Sequence, residues 1–363
     1  MSKRVFIAAT KQNDGKTTVA LGLMFNLKKR FKNIGFIKPI GQRYLEEEGL
    51  KIDEDSLLIE KTAGAHGIRY GIKDMSPVAV EKGFTENYIL KENRSEISKH
   101  IKESFKRVKH KQDMVIIEGT GHAGVGSVFD HSNAFVAKLL GSKVIVISSG
   151  GIGRPIDEIM LNKALFEREG VKLAGVIVNK VLPEKYDKIS KLVRRGLERK
   201  GLEVLGVIPY YPELSYPTIR QILEETDLKL LCGEGSLNNR VSKILIGAMQ
   251  VKDAARLFKD QCLLITPGDR EDMLSLTLNT HQEGLRISGV IISGNFTPQK
   301  EIIDAFDKKN IPLLFSKEDT YNVVSYMHDL IVKTQPEDRE KIKLAVKLIA
   351  EHVDIEKLLK NIK

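Results

Sequence analysis

Short apolar runs rich in Val and Ile alternate with amphipathic stretches along most of the chain. The runs are bounded by Gly, Pro, Asn and Asp, as buried strands usually are. Stretches between them, such as 133–140 and 156–161, carry apolar residues at helical spacing. This alternation predicts an α/β fold, a parallel sheet with helices on both faces, with strands over 4–9, 34–38, 113–118, 143–148, 173–179 and 204–208.

A second series of apolar runs begins near residue 225, beyond a segment that contains Pro212 and Pro217. At 363 residues the chain is too long for one typical core. The stretch 42–55 shows no regular pattern and is expected to be an irregular, mobile loop. We expect a first domain over 1–222, a second, smaller α/β domain over 225–335 with strands 228–232, 261–266, 287–293 and 311–315, and a lysine-rich C-terminal helical tail over 336–363.

The first apolar run leads into Gly15-Lys16-Thr17, and a helical pattern follows at once. Strand, loop, Gly-Lys-Thr and helix are the layout of a phosphate-binding loop, in which backbone N–H groups converge on phosphate oxygens. Lys16 would reach the terminal phosphates and the Thr17 hydroxyl would hold Mg²⁺. Because position 10 is Thr rather than Gly, an ordinary turn with a solvated lysine remains the alternative. The expected nucleotide contacts from this segment are Thr10, Lys11, Asn13, Asp14, Gly15, Lys16, Thr17 and Thr18. The mobile loop 42–55 is expected to lie near this phosphate site.

Polar side chains also follow other strands of the first series, and the carboxyl ends of parallel strands share one edge. Glu118 is a candidate Mg²⁺ ligand, although a carboxylate that merely faces solvent fits the position as well. Asp55 is either a third metal ligand or a helix cap. Asn179 could pair with both a donor and an acceptor on an adenine edge, or could simply form a turn.

Lys38 ends the second predicted strand, and a glycine-rich loop, 119–127, follows Glu118. A cation at Lys38 could stabilise a transferred phosphoryl group or hold an anionic substrate, and a surface lysine is the alternative. Gly119 and Gly121 allow the backbone to come close to a second ligand. These residues are therefore candidates for a substrate site beside the nucleotide.

The composition, 42% hydrophobic and 29% charged, is that of a soluble globular protein. Cys232 and Cys262 lie in apolar segments, which predicts buried thiols and a reducing cytoplasm. No signal peptide is expected, since only a short apolar strand follows the first residues, and no run is long enough to span a bilayer. The net charge of +10 is scattered among acids on helical stretches, so neither nucleic acid nor a membrane is an expected partner.

The first half of the chain resembles the dethiobiotin synthetase-like branch of P-loop proteins. That branch includes the cobyrinic acid diamide synthases and the N-terminal region of long phosphotransacetylases. The order and spacing of the shared residues hold over about 3–215. The residues that carry the resemblance are Thr10, Gly15-Lys16-Thr17, 35–40, 55–57, Ile117-Glu118-Gly119, 175–179 and Gly206-Val207-Ile208-Pro209-Tyr210.

The resemblance implies that Lys16, Thr17, Asp55 and Glu118 bind Mg²⁺·ATP. It implies too that Asn179 reads the base, with Pro209 close by. By the same resemblance, Lys38 contacts a substrate and the transferred phosphate, and the protein forms a homodimer. Lys11 occupies the place of a signature lysine that crosses the dimer interface in the MinD/ParA-like group, although a solvated Lys11 is the alternative. Gln12 and Gln42 replace small hydroxyl residues of dethiobiotin synthetases, and no glutaminase-like half is present in the sequence.

Residues of about 225–335 resemble a DRTGG domain, the module that follows the same P-loop region in long phosphotransacetylases. The naming motif survives as Gly268-Asp269-Arg270. Such domains are generally regulatory or ligand-sensing. Asp269 and Arg270 could bind a small polar ligand, or could pair with each other as a structural clamp.

Two functions fit these residues. The first is a nucleotide-dependent regulatory protein linked to small-acid metabolism, which binds and hydrolyses Mg²⁺·ATP and senses an unidentified small molecule. The second is a ligase-type enzyme that phosphorylates a small carboxylate or carbamate with ATP. A ParA-like positioning ATPase is disfavoured, because the sequence has no amphipathic anchor and no basic stripe.

Overall fold

The computed structural model describes residues 2–47, 49–63, 71–330 and 332–363. They form two compact units. One unit runs up to Tyr211 and includes Thr334–Lys363, and the other is Pro212–Lys333.

The part of the first unit that precedes Pro212 alternates strands with helices. Its described elements are β1 (Lys3–Ala9), α1 (Lys16–Leu27), β2 (Ile34–Ile37), β3 (Ile40–Gly41), β4 (Tyr44–Glu47), β5 (Leu50–Asp53), α2 (Glu54–Ala63), α3 (Ile72–Met75), β6 (Val78–Ala79), α4 (Phe84–Leu90), α5 (Arg94–Lys109), β7 (Met114–Glu118), α6 (Asn133–Leu139), β8 (Lys143–Ser149), α7 (Gly153–Arg168), β9 (Leu173–Val181), α8 (Tyr186–Glu198) and β10 (Val204–Pro209).

Six of these strands form a parallel sheet in the order β10-β9-β8-β1-β7-β2. The register pairs Ile7 with Glu118 and Ala9 with Ile147, so the ends of β1, β7 and β8 meet at one edge. The predicted α/β fold is confirmed, and each of its six strands ends within two residues of the predicted bounds.

The stretch 42–55 is not the irregular loop that the sequence suggested. β4 and β5 pair as an antiparallel hairpin, with Tyr44 opposite Asp53. The hairpin was not predicted from the sequence, because β4 carries Glu46 and Glu47 and therefore lacks a continuous apolar pattern. β3 and β6 add a short parallel pair beside it.

The second unit has its own sheet, in the order β11-β15-β14-β13-β12. Only β11 is antiparallel to its neighbour there. β12 escaped the sequence analysis because it is a short edge strand, and only one of its four residues is fully buried. The described elements are α9 (Ile219–Glu224), β11 (Lys229–Cys232), β12 (Lys243–Ile246), α10 (Val251–Ala254), β13 (Cys262–Pro267), α11 (Glu271–Gln282), β14 (Ile287–Ser293), α12 (Lys300–Lys308), β15 (Leu313–Phe315) and α13 (Thr320–Asp329).

Cys232 and Cys262 are buried free thiols in this unit, as predicted. Within the described ranges, each helix is too short or too polar to cross a lipid bilayer.

The last two helices, α14 (Arg339–His352) and α15 (Ile355–Asn361), pack on the first unit. The sequence set this segment apart as a tail, whereas in the structure it is fastened to the sheet. Val353 bridges Gly206 on the edge strand β10, and Asp354 N donates to Leu205 O at 2.8 Å. The apolar face of α14 is thus buried against its own unit.

Helices cover both faces of the first sheet. One core combines Phe6 and Val115 of the strands with side chains of α5, α6, α7 and α8. The buried side chains of α1 lie outside that core, and α1 packs on α14, β1 and β7. The carboxyl ends of the strands form one edge of the sheet, between the helices of the two faces. The loop after β1 lies at this edge.

Candidate functional site

The loop between β1 and α1 turns through two residues with left-handed backbone, Asn13 at φ 67° and Gly15 at φ 101°. A Cβ on Gly15 would lie 2.3 Å from Asn179 Nδ2, so no larger residue fits there. The helix begins with Val19 N donating to Gly15 O at 3.0 Å. The earlier N–H groups of this turn have no partner within the helix, and such groups favour anions.

Asp14 organises the loop from inside. Its carboxylate accepts hydrogen bonds from Lys11 N at 2.8 Å, from Thr10 Oγ1 at 2.9 Å and from Ser149 Oγ. Burial raises the pKa of Asp14, although the hydrogen bonds from Ser149 and Thr10 act in the opposite direction. The Thr10 hydroxyl lies 3.0 Å from Ser148 Oγ, so the residue that replaces the usual glycine ties the loop to β8.

The end of β9 supports the same loop from the other side. Asn179 Nδ2 donates to Asp14 O at 2.8 Å, and Lys180 Nζ donates to Asn13 O at 2.7 Å. Burial lowers the pKa of Lys180. The amide nitrogen of Asn179, expected to read a base, here holds the loop backbone. Pro209 closes β10 at this edge of the sheet.

Lys11 is paired within its own chain. Its ammonium lies 2.7 Å from Glu158 Oε1 on α7, with its side chain 42% exposed. Glu158 Oε2 also lies 3.2 Å from Thr10 Oγ1. Lys11 therefore borders the loop and partly faces solvent.

A buried cluster of charges lies beside the first turn of α1. Thr17 Oγ1 donates to Glu118 Oε1 at 2.9 Å. Lys38 Nζ lies 2.9 Å from Asp53 Oδ1 and also contacts Asp55 Oδ2. The cluster consists of Lys16, Lys38, Asp53, Asp55 and Glu118, all of them buried, with the half-buried Thr17 at its side.

The charges of this cluster shift one another's pKa values. Burial lowers the pKa of Lys16, and the carboxylate of Glu118 only partly opposes that shift. Burial alone would lower the pKa of Lys38, but Asp55 and Asp53 together raise it above the ordinary value. Burial and repulsion from Asp55 raise the pKa of Glu118 to about 7.

The cluster fits a magnesium ion held by few protein ligands. Glu118 is fully buried, and its Oε2 has no hydrogen-bond partner among the described residues. Mg²⁺ usually takes one or two carboxylates and completes its shell with water and phosphate oxygens. No group of three or more His, Cys, Asp and Glu suited to a metal occurs in the described part of the chain. The structure thus brings Thr17, Asp55 and Glu118 to one place with Lys16 and Lys38.

The loop after β7 is held by a buried amide. Asn133 Oδ1 accepts from Thr120 N at 3.1 Å, and Asn133 Nδ2 donates to Thr120 O at 2.6 Å. A Cβ on Gly119 would lie 2.5 Å from Phe6 Cε1, so Gly119 serves close packing. Gly121 has φ 69°, and its carbonyl accepts from Ala9 N at 3.2 Å. Both glycines, predicted as a ligand surface, bind the loop to the core of the unit.

In the second unit, Arg270 pairs with Asp272 rather than with Asp269. Its guanidinium bonds the two carboxylate oxygens at 2.8 and 2.9 Å and also donates to the carbonyls of Gly247 and Met249. Asp269 is exposed. The alternative of an Asp269–Arg270 clamp therefore has the wrong partner, since the guanidinium pairs with Asp272 on the first turn of α11.

Sequence reasoning missed several residues that shape the site. Ser149 is the last residue of β8, and Lys180 is the second last of β9. Their position at the shared edge could have identified them as candidate site residues. Glu158 and Asn133 act from helices, where no local pattern separates them from surface polar residues.

Curated relatives match nearly the whole chain. The phosphate acetyltransferase of Nitratidesulfovibrio vulgaris is 25% identical over 370 residues, covering 99% of this chain and 51% of its own length. That of Pseudomonas putida is 26% identical over 365 residues, covering 96% of this chain and 50% of its own length. The chain spans about half the length of the curated relatives it matches.

Comparison with solved structures gives matches to part of the chain. A putative plasmid partition protein from Borrelia burgdorferi bound to AMPPNP is 15% identical, with a TM-score of 0.40, and covers 59% of this chain and 89% of its own. The MinC:MinD cell division complex of Aquifex aeolicus is 16% identical, with a TM-score of 0.37, and covers 59% of this chain and 84% of its own.

Two family models divide the chain between them. The AAA domain model AAA_26 matches residues 3–218, more than half of the sequence. The DRTGG domain model matches residues 221–330. Both matches agree with the resemblance that the sequence motifs suggested. The chain therefore belongs to the AAA_26 family of AAA domains and carries a DRTGG domain behind its AAA domain.

Proposed function

We propose that the first unit binds Mg²⁺·ATP between the loop 10–17 and Glu118, and hydrolyses it. One observation carries the proposal: a buried Lys16 at a helix start, with the neighbouring Thr17 hydroxyl 2.9 Å from the buried Glu118. Buried charges are retained where a partner compensates them. A triphosphate supplies an anion for Lys16, and a divalent cation supplies the partner for Glu118 Oε2.

The roles follow from position. Lys16 and the N–H groups of the loop would bind the terminal phosphates, with Thr18 in the same helical turn. Thr17, Asp55 and Glu118 would hold Mg²⁺, which when bound neutralises charge on the phosphates. Asn179 and Pro209, at the ends of β9 and β10, would border the base. Asp14 would keep the loop in its phosphate-binding form.

We infer a regulatory role linked to small-acid metabolism. Lys38, which a ligase would offer to an anionic substrate, is 5% exposed and is held by Asp53 and Asp55. A carboxylate substrate would have to displace an existing carboxylate from it. Relatives that are phosphate acetyltransferases match nearly the whole chain, which supports a place in acyl phosphate metabolism.

The alternative is a ligase that phosphorylates a small carboxylate or carbamate. The specific observation in its favour is the lysine itself. Lys38 carries a cation into the cluster of the proposed metal site, where a transferred phosphoryl group would lie. In that case a substrate would compete with Asp55 for the ammonium.

ATP turnover across a panel of small carboxylates, amines and acyl phosphates separates the two functions. The regulatory role predicts slow hydrolysis that no compound stimulates. Lys16→Ala should abolish it, whereas Lys200→Ala, an exposed lysine of the same unit, should leave it unchanged. Strong stimulation by one carboxylate would establish the ligase instead, and a wild-type rate equal to that of Lys16→Ala would refute both.

The proposal includes a cytoplasmic homodimer and a small-molecule ligand for the second unit near Asp269 and Arg270. Light scattering with and without Mg²⁺·ATP tests the dimer. A dimer in the presence of nucleotide is expected, and a monomer at every concentration under both conditions contradicts it.

A further inference from the structure

Asp53 is, with Glu118, one of the two fully buried acids of the cluster. It is 0% exposed at the end of β5, and its backbone N donates to Ser76 Oγ at 3.0 Å. Its Oδ1 accepts from Asp55 N at 2.9 Å and lies 2.9 Å from Lys38 Nζ. A Cβ on Gly41 would lie 2.6 Å from Asp53 Oδ2, so the glycine makes room for this carboxylate.

Asp55 is required in two places. It contacts the Lys38 ammonium, and it is also a carboxylate of the proposed metal site. A carboxylate that coordinates Mg²⁺ forms a weaker ion pair with an ammonium, because the metal ion draws electron density from it. Lys38 is buried, and a buried ammonium left without a counter-charge is strongly disfavoured. Lys38 therefore needs a second anion that the metal does not take.

We propose that Asp53 is a positioning residue that keeps Lys38 paired when Asp55 turns to the metal ion. The inference depends on the proposed Mg²⁺·ATP site. Asp53 acts through Lys38: it lowers the cost of releasing Asp55 and holds the ammonium beside the phosphates. Without Asp53, Lys38 would hold Asp55 more tightly and compete with the metal for it.

Manganese binding followed by electron paramagnetic resonance, in the presence of ATP, tests this role without relying on turnover. Asp53→Asn keeps the side-chain oxygen that caps α2 but removes the charge. It should weaken Mn²⁺ binding about 10-fold, as loss of a partner behind a metal ligand does. Asp74→Asn, a buried acid that pairs with Arg107 at 2.8 Å, is the matched control and should leave Mn²⁺ affinity unchanged.

The background Lys38→Met separates an action through Lys38 from direct coordination. In that background Asp53→Asn should have far less effect on Mn²⁺ affinity than in the wild type. An equal loss in both backgrounds, or none in the wild type, overturns the inference. If Lys38→Met does not fold, as judged by thermal unfolding, Lys38→Gln provides an uncharged background that retains a hydrogen-bond donor. Failure of the wild type itself to bind Mn²⁺ with ATP would instead refute the proposed function.

Discussion

At the residue scale, the site is a set of buried charges that are adjusted to one another. Lys16, Lys38 and Glu118 come from three separate strand ends or helix starts, and all are at least nine-tenths buried. The sequence could predict their types and their common edge. It could not predict that Asn179 donates a hydrogen bond to the loop backbone, or that Arg270 pairs with Asp272. Such pairings depend on distances of a few ångströms in the folded chain.

Glu118 predicts a pH dependence of stability in the metal-free protein. Its pKa is raised from 4.5 to about 7, so its contribution to stability is complete below 4.5 and is lost as the pH rises through about 7. Glu118→Gln, which cannot ionise, should therefore be more stable than the wild type near pH 8, by about 1–3 kcal/mol. Below about pH 4, where the carboxyl is mostly protonated in both the folded and the unfolded chain, this advantage should disappear. Thermal unfolding in EDTA measures it, and a difference that does not vary with pH would contradict the assignment.

The hydrogen bonds to Asp14 predict that the loop 10–17 depends on this carboxylate for its conformation. Asp14→Ala removes the acceptor of Lys11 N and of the Ser149 hydroxyl, and one of the partners of the Thr10 hydroxyl, a loss of about 1–3 kcal/mol where such groups are buried. ATP affinity measured by calorimetry should fall at least about 10-fold. Asp157→Ala, an exposed acid on α7, is the control. Unchanged affinity in Asp14→Ala would show that the loop does not depend on this residue.

At the element scale, α1 is fixed between the sheet and α14. Asn26 Nδ2 on α1 donates to Val346 O at 2.9 Å, and a Cβ on Gly22 would lie 2.3 Å from Ile349 Cγ1. The helical pattern of α14 was readable from the sequence, as was its amphipathic face. Which surface that face covers was not readable, because the contact joins residues more than 300 positions apart.

Gly22→Val should destabilise the first unit although valine forms helices better than glycine does. The added atoms meet the carbonyl of Ala345 as well as Ile349, so crowding of about 1–3 kcal/mol is expected. Gly153→Ala at the start of α7, where a Cβ would have no neighbour within 4 Å, should be neutral or slightly stabilising. Urea unfolding measures the free energies of unfolding of the two variants. Equal values would show that α14 shifts to accommodate a larger side chain at position 22.

At the scale of the whole molecule, the chain leaves the first unit after Tyr211 and re-enters it at Thr334. The DRTGG unit is therefore bounded on both sides by segments of the AAA unit. The AAA model ends at residue 218 and does not include the two C-terminal helices. Local patterns give each unit its sheet, whereas the return of the chain is a non-local property.

This connectivity predicts which fragments fold. Residues 1–222 lack the helices that cover α1 and the edge of β10, and should be insoluble or unfold at a lower temperature. Residues 1–211 joined by a flexible linker to 334–363 should unfold cooperatively and bind ATP as the full chain does. Equal thermal stability of 1–222 and the linked fragment would contradict the assignment of 334–363 to the first unit.

Titration calorimetry of the full chain with ATP, in magnesium and in EDTA, tests the central claim most directly. Saturable one-site binding is expected for the wild type in magnesium, with a weaker affinity in EDTA. Lys16→Ala should lose it while keeping the wild-type unfolding temperature. No heat for any nucleoside triphosphate, or the same affinity in Lys16→Ala as in the wild type, would contradict the assignment of the loop 10–17 as a phosphate-binding site.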